Sequence, residues 1–166
     1  MGSEKSKIRV DQVGLDKFEI INEIQSNDGF EHSYPLSKER FTNLIHRGEY
    51  FFVSFYEGKA AGMISVDFEI RAKLHFFSVK KDYQGKGIGG VLLKKILEEA
   101  KNRNYSSVYV YVEIDSPVEK FLLNRGFEKV GYYRDRYKKA NMQIFWRLVS
   151  ELPYSPEGRE NRARKK

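Results

Sequence analysis

Val79-Lys80-Lys81-Asp82-Tyr83-Gln84-Gly85-Lys86-Gly87-Ile88-Gly89-Gly90 is the stretch on which the reading of this chain turns. The apolar run before it, Leu74-His75-Phe76-Phe77-Ser78-Val79, reads as a buried strand. After it, Val91 to Ala100 repeats apolar residues at helical spacing. A strand feeding a glycine-rich turn that opens a helix is one way to hold phosphate. Glycine lets the backbone approach closely, and the first N–H groups of the helix have no partner of their own. Successive donors from Gly85 to Gly90 would grip the anion, and side chains at Gly85, Gly87 and Gly89 would obstruct it. The plainer alternative, a structural strand-to-helix turn, has no need of three glycines in six residues.

Upstream of that stretch, Tyr50 to Tyr56 is strand-like, Glu57-Gly58-Lys59 is a tight turn, and Ala61 to Ile70 continues as a second strand. With the strand ending at Val79 these predict an antiparallel meander. Earlier still, Lys7 to Val13 alternates weakly as a first strand. Leu15, Phe18, Ile21 and Ile24 repeat at helix spacing, Ser26-Asn27-Asp28-Gly29 breaks that helix, and a loop follows to Pro35 and Leu36. Ser37 caps a second helix running to Gly48.

Downstream, a helix from Gly90 to about Asn102 crosses back to Ser107–Val112, which makes that strand parallel to the one ending at Val79. Ser116, Pro117 and Glu119 predict a helix opened by a capping box, burying Val118, Phe121 and Leu122 and stopping at Gly126. Two strands, Phe127 to Arg134 and Met142 to Val149, close the order.

The 166 residues suffice for one domain with a real core, assigned to residues 1–152, followed by a basic tail at 153–166. A net charge of +7 suits an anionic cofactor or a nucleic acid, but part of the excess sits in Arg159, Arg162, Arg164, Lys165 and Lys166. Apart from that tail no basic recognition helix or aromatic strand motif supports nucleic-acid binding, so nucleic acid is not expected as a partner. No apolar run reaches the length of a membrane span. With no cysteine there is no disulfide, thiolate metal site or cysteine nucleophile, and a cytoplasmic location fits. No His and acidic pair has metal-ligand spacing, so no metal is expected.

The order β-α-α-β-β-β-α-β-α-β-β, with Gln84-Gly85-Lys86-Gly87-Ile88-Gly89 between the fourth strand and the third helix, resembles the GNAT superfamily of N-acetyltransferases. A second match is Asn124-Arg125-Gly126-Phe127, where that family ends a helix in Gly-Phe. The likeness covers residues 7 to about 149. It implies an α/β (α+β) fold, with a mixed central sheet of six to seven strands flanked by helices on both faces. It also implies acetyl-CoA as acyl donor and an amine as acceptor, by direct attack in a ternary complex. Cofactor contacts carry over to Phe77, Ser78, Val79, Gln84, Gly85, Lys86, Gly87, Ile88, Gly89, Gly90 and Ser116. The backbone of Phe77–Val79 would pair with the pantetheine arm, and a backbone N–H there would stabilise the oxyanion.

The chemistry needs a neutral amine. A lysine-type amine costs about 4.6 kcal/mol to deprotonate at pH 7 and an α-amine roughly 1.4. A base for the amine and an acid for the thiolate would help. The chain departs from its relatives at both: Leu122 stands where many place a tyrosine acid, and Lys73 where histone-type members place a glutamate base. Asp115 replaces their common asparagine. The replacements are Glu113, His75 and Tyr111, with Tyr132 and Tyr133 as further phenols. Each has a plainer reading: an exposed strand-end carboxylate, a hydrogen-bonded core histidine, and tyrosines packed in the sheet. Tyr137 and Trp146 would shape an acceptor pocket or core, and His32 and His46 would face solvent. Glu31, Asp67 and Glu69 are available to attract a cationic acceptor. The alternative to an enzyme is a non-catalytic acyl-CoA-binding module, and the last strands could build a homodimer.

Overall fold

The computed structural model describes residues 7–30, 35–135 and 140–149. Glu31, His32, Tyr137 and the basic tail lie outside the described residues, so the roles considered for them stay open. In chain order the elements are β1 (Ile8–Val13), α1 (Phe18–Ser26), α2 (Lys38–His46), β2 (Tyr50–Tyr56), β3 (Lys59–Asp67), β4 (Ala72–Val79), α3 (Ile88–Asn102), β5 (Ser107–Glu113), α4 (Pro117–Leu123), β6 (Glu128–Asp135) and β7 (Ala140–Leu148). Short 3-10 turns at Leu15–Lys17 and Lys81–Tyr83 precede α1 and α3. Two compact units form: the described residues to Ile70 with Leu74–Ile96, and Arg71–Lys73 with those from Leu97 onward.

In the first unit the strands lie in the order β1-β2-β3-β4. β1 runs antiparallel to β2, with Val10 opposite Ser54, and β2 antiparallel to β3, with Phe52 opposite Ile64. Helices α1 and α2 supply Ile21, Ile24 and Phe41 to a core that also contains Leu36, Phe51, Val53 and Met63. These helix residues follow the 3.6 period, and Phe51 and Val53 the period of two, so each element brings one apolar face to the cluster. The Phe41 ring stands edge-on to Phe51 with centroids 4.8 Å apart. Ser37 caps α2 as its sequence predicts, its Oγ accepting from Arg40 N at 3.1 Å. Helix α3 comes close to β3 at a glycine: a Cβ on Gly62 would lie 3.0 Å from Ile88 Cγ2 and 3.1 Å from Leu92 Cδ1.

In the second unit the order is β5-β7-β6, both pairings antiparallel, with Tyr109 opposite Trp146 and Tyr133 opposite Met142. Val108, Val110 and Val112 are buried, while Tyr109 and Tyr111 on the other face are half-buried. Among the described residues no helix is long and apolar enough to cross a membrane.

Several local expectations need correcting. β3 stops at Asp67 instead of running to Ile70, because the Asp67 carboxylate accepts from Glu69 N at 2.9 Å and turns the chain, leaving Ile70 90% exposed. Helix α3 starts at Ile88, two residues before Gly90, so Gly89 and Gly90 belong to its first turn. The capping box at Ser116 does not form. Asp115 sits at φ +66°, Ser116 N turns back to Glu113 O at 3.2 Å, and Ser116 Oγ makes no cap bond. The backbone N–H that the Glu119 side chain would have taken is thus already bonded. Of the three apolar residues expected inside α4 only Leu122 is fully buried.

Phe41→Ala removes a ring that is fully buried against Phe51 and Phe18. Urea denaturation followed by circular dichroism is expected to show a loss of about 3–5 kcal/mol.

Candidate functional site

The glycine turn is set up by what precedes it. β4 ends at Val79, Lys80 N donates to Ala61 O at 2.8 Å, and the Lys81–Tyr83 turn closes with Tyr83 N on Lys80 O at 2.9 Å. The chain then passes through Gly85 at φ +81° and Gly87 at φ +82°, a region that costs a side-chain-bearing residue about 1–2 kcal/mol. Among the described residues nothing lies within 4 Å of where a Cβ would sit on either glycine. The space over the turn is therefore open, and it is the backbone that faces it. The first helical bond, Val91 N to Gly87 O at 3.1 Å, follows at once, so α3 begins directly beneath the turn. A long helix whose leading N–H groups adjoin an open concave backbone is chemically suited to an anion. Lys86 is exposed, its Nζ 5.4 Å from the Tyr56 ring centroid.

The Gln84 side chain is engaged within the protein. Its amide nitrogen donates to Val79 O at 3.1 Å and to Asp28 O at 2.9 Å. Asp28 is only 3% exposed, and its carboxylate accepts from Ser78 Oγ at 2.9 Å and from Phe30 N at 3.0 Å. Lys81 N donates to Asn27 O at 2.8 Å, and Lys80 Nζ pairs with Glu23 Oε1 at 2.6 Å. The segment after α1 is thereby fastened to the end of β4 and to residues 80–84, which lead into the glycine turn. Ser78 is buried within this clamp, while Phe77 and Val79 beside it are half-buried.

His75 is not the core histidine that the plainer reading allowed. Its side chain is 30% exposed, and Nδ1 lies 3.0 Å and 3.2 Å from the two carboxylate oxygens of Glu49. Glu49 is buried, and Ser65 Oγ donates to its Oε1 at 2.6 Å. Ser65 in turn accepts from Phe76 N at 3.1 Å. Neither Glu49 nor Ser65 was a candidate from sequence. Ser65 carried a faint signal, a hydroxyl in the otherwise apolar stretch of β3, whereas Glu49 carried none.

The other expected site residues belong to the second unit. Glu113 ends β5 and is exposed. Tyr111 lies under Lys73 Nζ, 4.3 Å from the ring centroid, and stands edge-on to Tyr133 at 5.4 Å. Ser116 Oγ is buried with no hydrogen-bond partner among the described residues. Tyr133 titrates above the ordinary tyrosine value of 10.0, through burial first and then the charge of Asp135 and the neighbouring Tyr111, so its phenol stays neutral and is a poorer acid. Tyr132 is 76% exposed. Leu122, in place of the family's tyrosine, is a core residue at 2% exposure, and Gly126 at φ +87° ends its helix so that Phe127 can bury fully.

The turn, the helix beneath it and the strand order within each unit make an α+β fold with an open turn suited to an anion. The family model described as "Acetyltransferase (GNAT) domain" matches residues 21–144, and the chain belongs to that family. It is 25% identical over 128 residues, 76% of either chain, to an uncharacterized N-acetyltransferase of Chlorobaculum tepidum. It is 32% identical over 115 residues to one from Methanocaldococcus jannaschii, covering 61% of this chain and 51% of that one. Among solved structures, the fold matches ribosomal-protein-S18-alanine N-acetyltransferase of Escherichia coli, with a TM-score of 0.73, 18% identity and coverage of 86% and 94%. It also matches the PaiA N-acetyltransferase of Thermoplasma acidophilum in complex with coenzyme A, with a TM-score of 0.70, 19% identity and coverage of 85% and 98%. These structural likenesses establish a GNAT fold.

Two expectations follow from this geometry. Gln84→Ala removes the amide that spans Asp28 and Val79, and should cost about 1–2 kcal/mol. Amide hydrogen exchange at Gly85–Ile88 should speed up while exchange in β2 stays slow. Asp135→Asn removes a negative charge beside Tyr133, so the phenolate absorbance of Tyr133 is expected to appear at lower pH than in the unaltered chain, with Tyr133→Phe identifying the signal.

Proposed function

We propose that this chain is an acetyl-CoA-dependent N-acetyltransferase that transfers an acetyl group to a primary amine by direct attack in a ternary complex. The observation that carries the reading is the pair of left-handed glycines, Gly85 and Gly87, open to space where a Cβ would lie and followed at once by α3. A diphosphate bearing two or more negative charges suits that array of backbone donors. The residues that would hold acetyl-CoA are Gly85, Lys86, Gly87, Ile88, Gly89 and Gly90 around the diphosphate. The backbone of Phe77, Ser78 and Val79 would serve the pantetheine arm, and Ser116 is a further candidate contact. Gln84 supports them by bracing the turn. The coenzyme A complex of the PaiA enzyme, which shares the fold, is consistent with this assignment.

Acetyl-CoA supplies an activated thioester. The acceptor ammonium first gives up a proton, its nitrogen then forms the new C–N bond, and the C–S bond breaks with its electrons leaving on sulfur. His75 is our choice for the base, because its imidazole is partly exposed and already oriented through Nδ1. Glu113 and Tyr111 are the remaining candidates for proton handling. A thiolate of pKa about 8.5 departs without full protonation, so turnover does not require an acid at Leu122. The cysteine-free composition fits a cytoplasmic setting. Burial of Leu122 in place of the usual phenol favours one rival, an acyl-CoA-binding module without turnover.

Calorimetric titration with coenzyme A should show binding to the unaltered chain, weakened at least tenfold by Gly87→Val with the unfolding midpoint checked in parallel. Thiol release from acetyl-CoA should rise above the spontaneous rate with at least one of a panel of polyamines, lysine-type amines and peptide α-amines. Loss of binding altogether would overturn the assignment, and binding without thiol release would establish the rival.

A further inference from the structure

We infer that Glu49 is a positioning residue for catalysis: anchored by Ser65, its buried carboxylate holds His75 in the Nδ1-protonated tautomer and so makes Nε2 the basic atom. This rests on the acetyl-transfer reading above, and it adds a residue that no sequence motif marks.

The argument runs along a chain of four groups. Phe76 N donates to Ser65 Oγ at 3.1 Å, which leaves the Ser65 hydroxyl proton free to point elsewhere. It points to Glu49 Oε1, 2.6 Å away, a length typical of a hydroxyl donating to a charged oxygen. Glu49 is 7% exposed, yet an ionised carboxylate buried to that degree needs donors. His75 Nδ1, at 3.0 Å and 3.2 Å from its two oxygens, is the second donor. A carboxylate can only accept, so the proton on the neutral imidazole sits on Nδ1 and the lone pair on Nε2. Among the described residues Nε2 has no hydrogen-bond partner, while the side chain is 30% exposed. The ring is therefore fixed at one edge and accessible at the other.

Its place on β4 suits a base. His75 is two residues before Phe77, about 6–7 Å along a strand, where the acyl arm is proposed to lie. Nε2 takes a proton from the acceptor ammonium, and the imidazolium so formed has the Glu49 carboxylate against its Nδ1. The freed amine lone pair forms the C–N bond to the acetyl carbon, the nitrogen gives its second proton to solvent, the C–S bond breaks, and the departing sulfur takes a proton from the imidazolium or from solvent. The sum is amide, free thiol and one proton released. No further reactant is required.

The decisive measurement is nitrogen NMR of the unaltered chain above the pH at which the ring is neutral. His75, assigned by its loss in His75→Gln, should show a protonated Nδ1 and an unprotonated Nε2. Glu49→Gln keeps the size of the side chain but offers Nδ1 either a carbonyl or an NH2, so the single tautomer should give way to a mixture. In the same variant kcat should fall at least tenfold while KM for acetyl-CoA stays within twofold, general bases contributing about 10²–10⁴-fold. Adding Glu49→Gln to His75→Gln should cost nothing further, the behaviour of residues that act as one unit. The inference is overturned if the proton sits on Nε2, if Glu49→Gln leaves kcat within twofold, or if the double variant is additive. Failure of the parent reading has a separate signature: the unaltered chain then releases no thiol with any amine.

Discussion

The glycine turn can serve as an anion cradle only if β4 delivers it in a defined place, and a single buried carboxylate does most of that. Asp28, at the end of α1, receives Ser78 Oγ while its own backbone carbonyl receives Gln84. Hydrogen bonds to a charged acceptor contribute about 1.5–3 kcal/mol each, and stripping such a group of its donors costs more than either bond contributes. The stretch leading into the glycines is therefore held at both of its ends, at Ser78 by the carboxylate and at Gln84 by the backbone carbonyl. The local preference of Gly85 and Gly87 for φ near +80° supplies the shape of the loop, and the clamp supplies its location. That division explains how an open loop, with nothing among the described residues above Gly85 or Gly87, can be ordered before any ligand arrives.

Most of the scaffold was readable because it rests on short-range rules. Alternation in Tyr50–Tyr56, helical spacing in Ile21 and Ile24, and a serine ahead of α2 each act within one element. The glycine stretch was readable for a related reason, since its residue types are demanded by the backbone itself. What escaped notice are contacts between distant segments. Glu49 lies 26 residues from His75, Asp28 lies 50 from Ser78, and Gln84 reaches back 56 residues to Asp28. Nothing in the neighbourhood of an isolated acid tells it apart from a surface acid until the fold buries it. Ser116 is the converse case. Its neighbours spelled a capping box, but the left-handed turn at Asp115 sent Ser116 N to Glu113 O and left the hydroxyl without a partner among the described residues.

The candidate acid is harder to place, and the physical reason is specific. Leu122 fills the position with a buried aliphatic side chain, and Tyr133 is a phenol whose surroundings disfavour its ionised form. Tyr111 lies beneath the Lys73 ammonium, 4.3 Å from the ring centroid, and stands edge-on to Tyr133, with β7 between their two strands. A thioester tolerates this arrangement because thiolate is a competent leaving group. The demand on the protein falls on the amine, whose deprotonation costs about 4.6 kcal/mol at neutral pH when it is lysine-like.

That asymmetry gives a reason for the way β4 is held. Besides His75 on Glu49, two residues of this strand are bonded to side chains: Phe76 through its N–H to Ser65, and Ser78 through its hydroxyl to Asp28. They bracket Phe77. Each anchor leads to a buried carboxylate, Glu49 in one case and Asp28 in the other. Fixing the strand on both sides of one residue limits its displacements, and in the role proposed for this segment an error of about an ångström in a backbone N–H would cost about a hundredfold in rate. The same Glu49 that anchors one side also orients His75. One side of Phe77, through Ser65, and the His75 ring thus lead back to one carboxylate, and Glu49→Gln, which keeps an acceptor for Ser65, changes what His75 meets while sparing the strand.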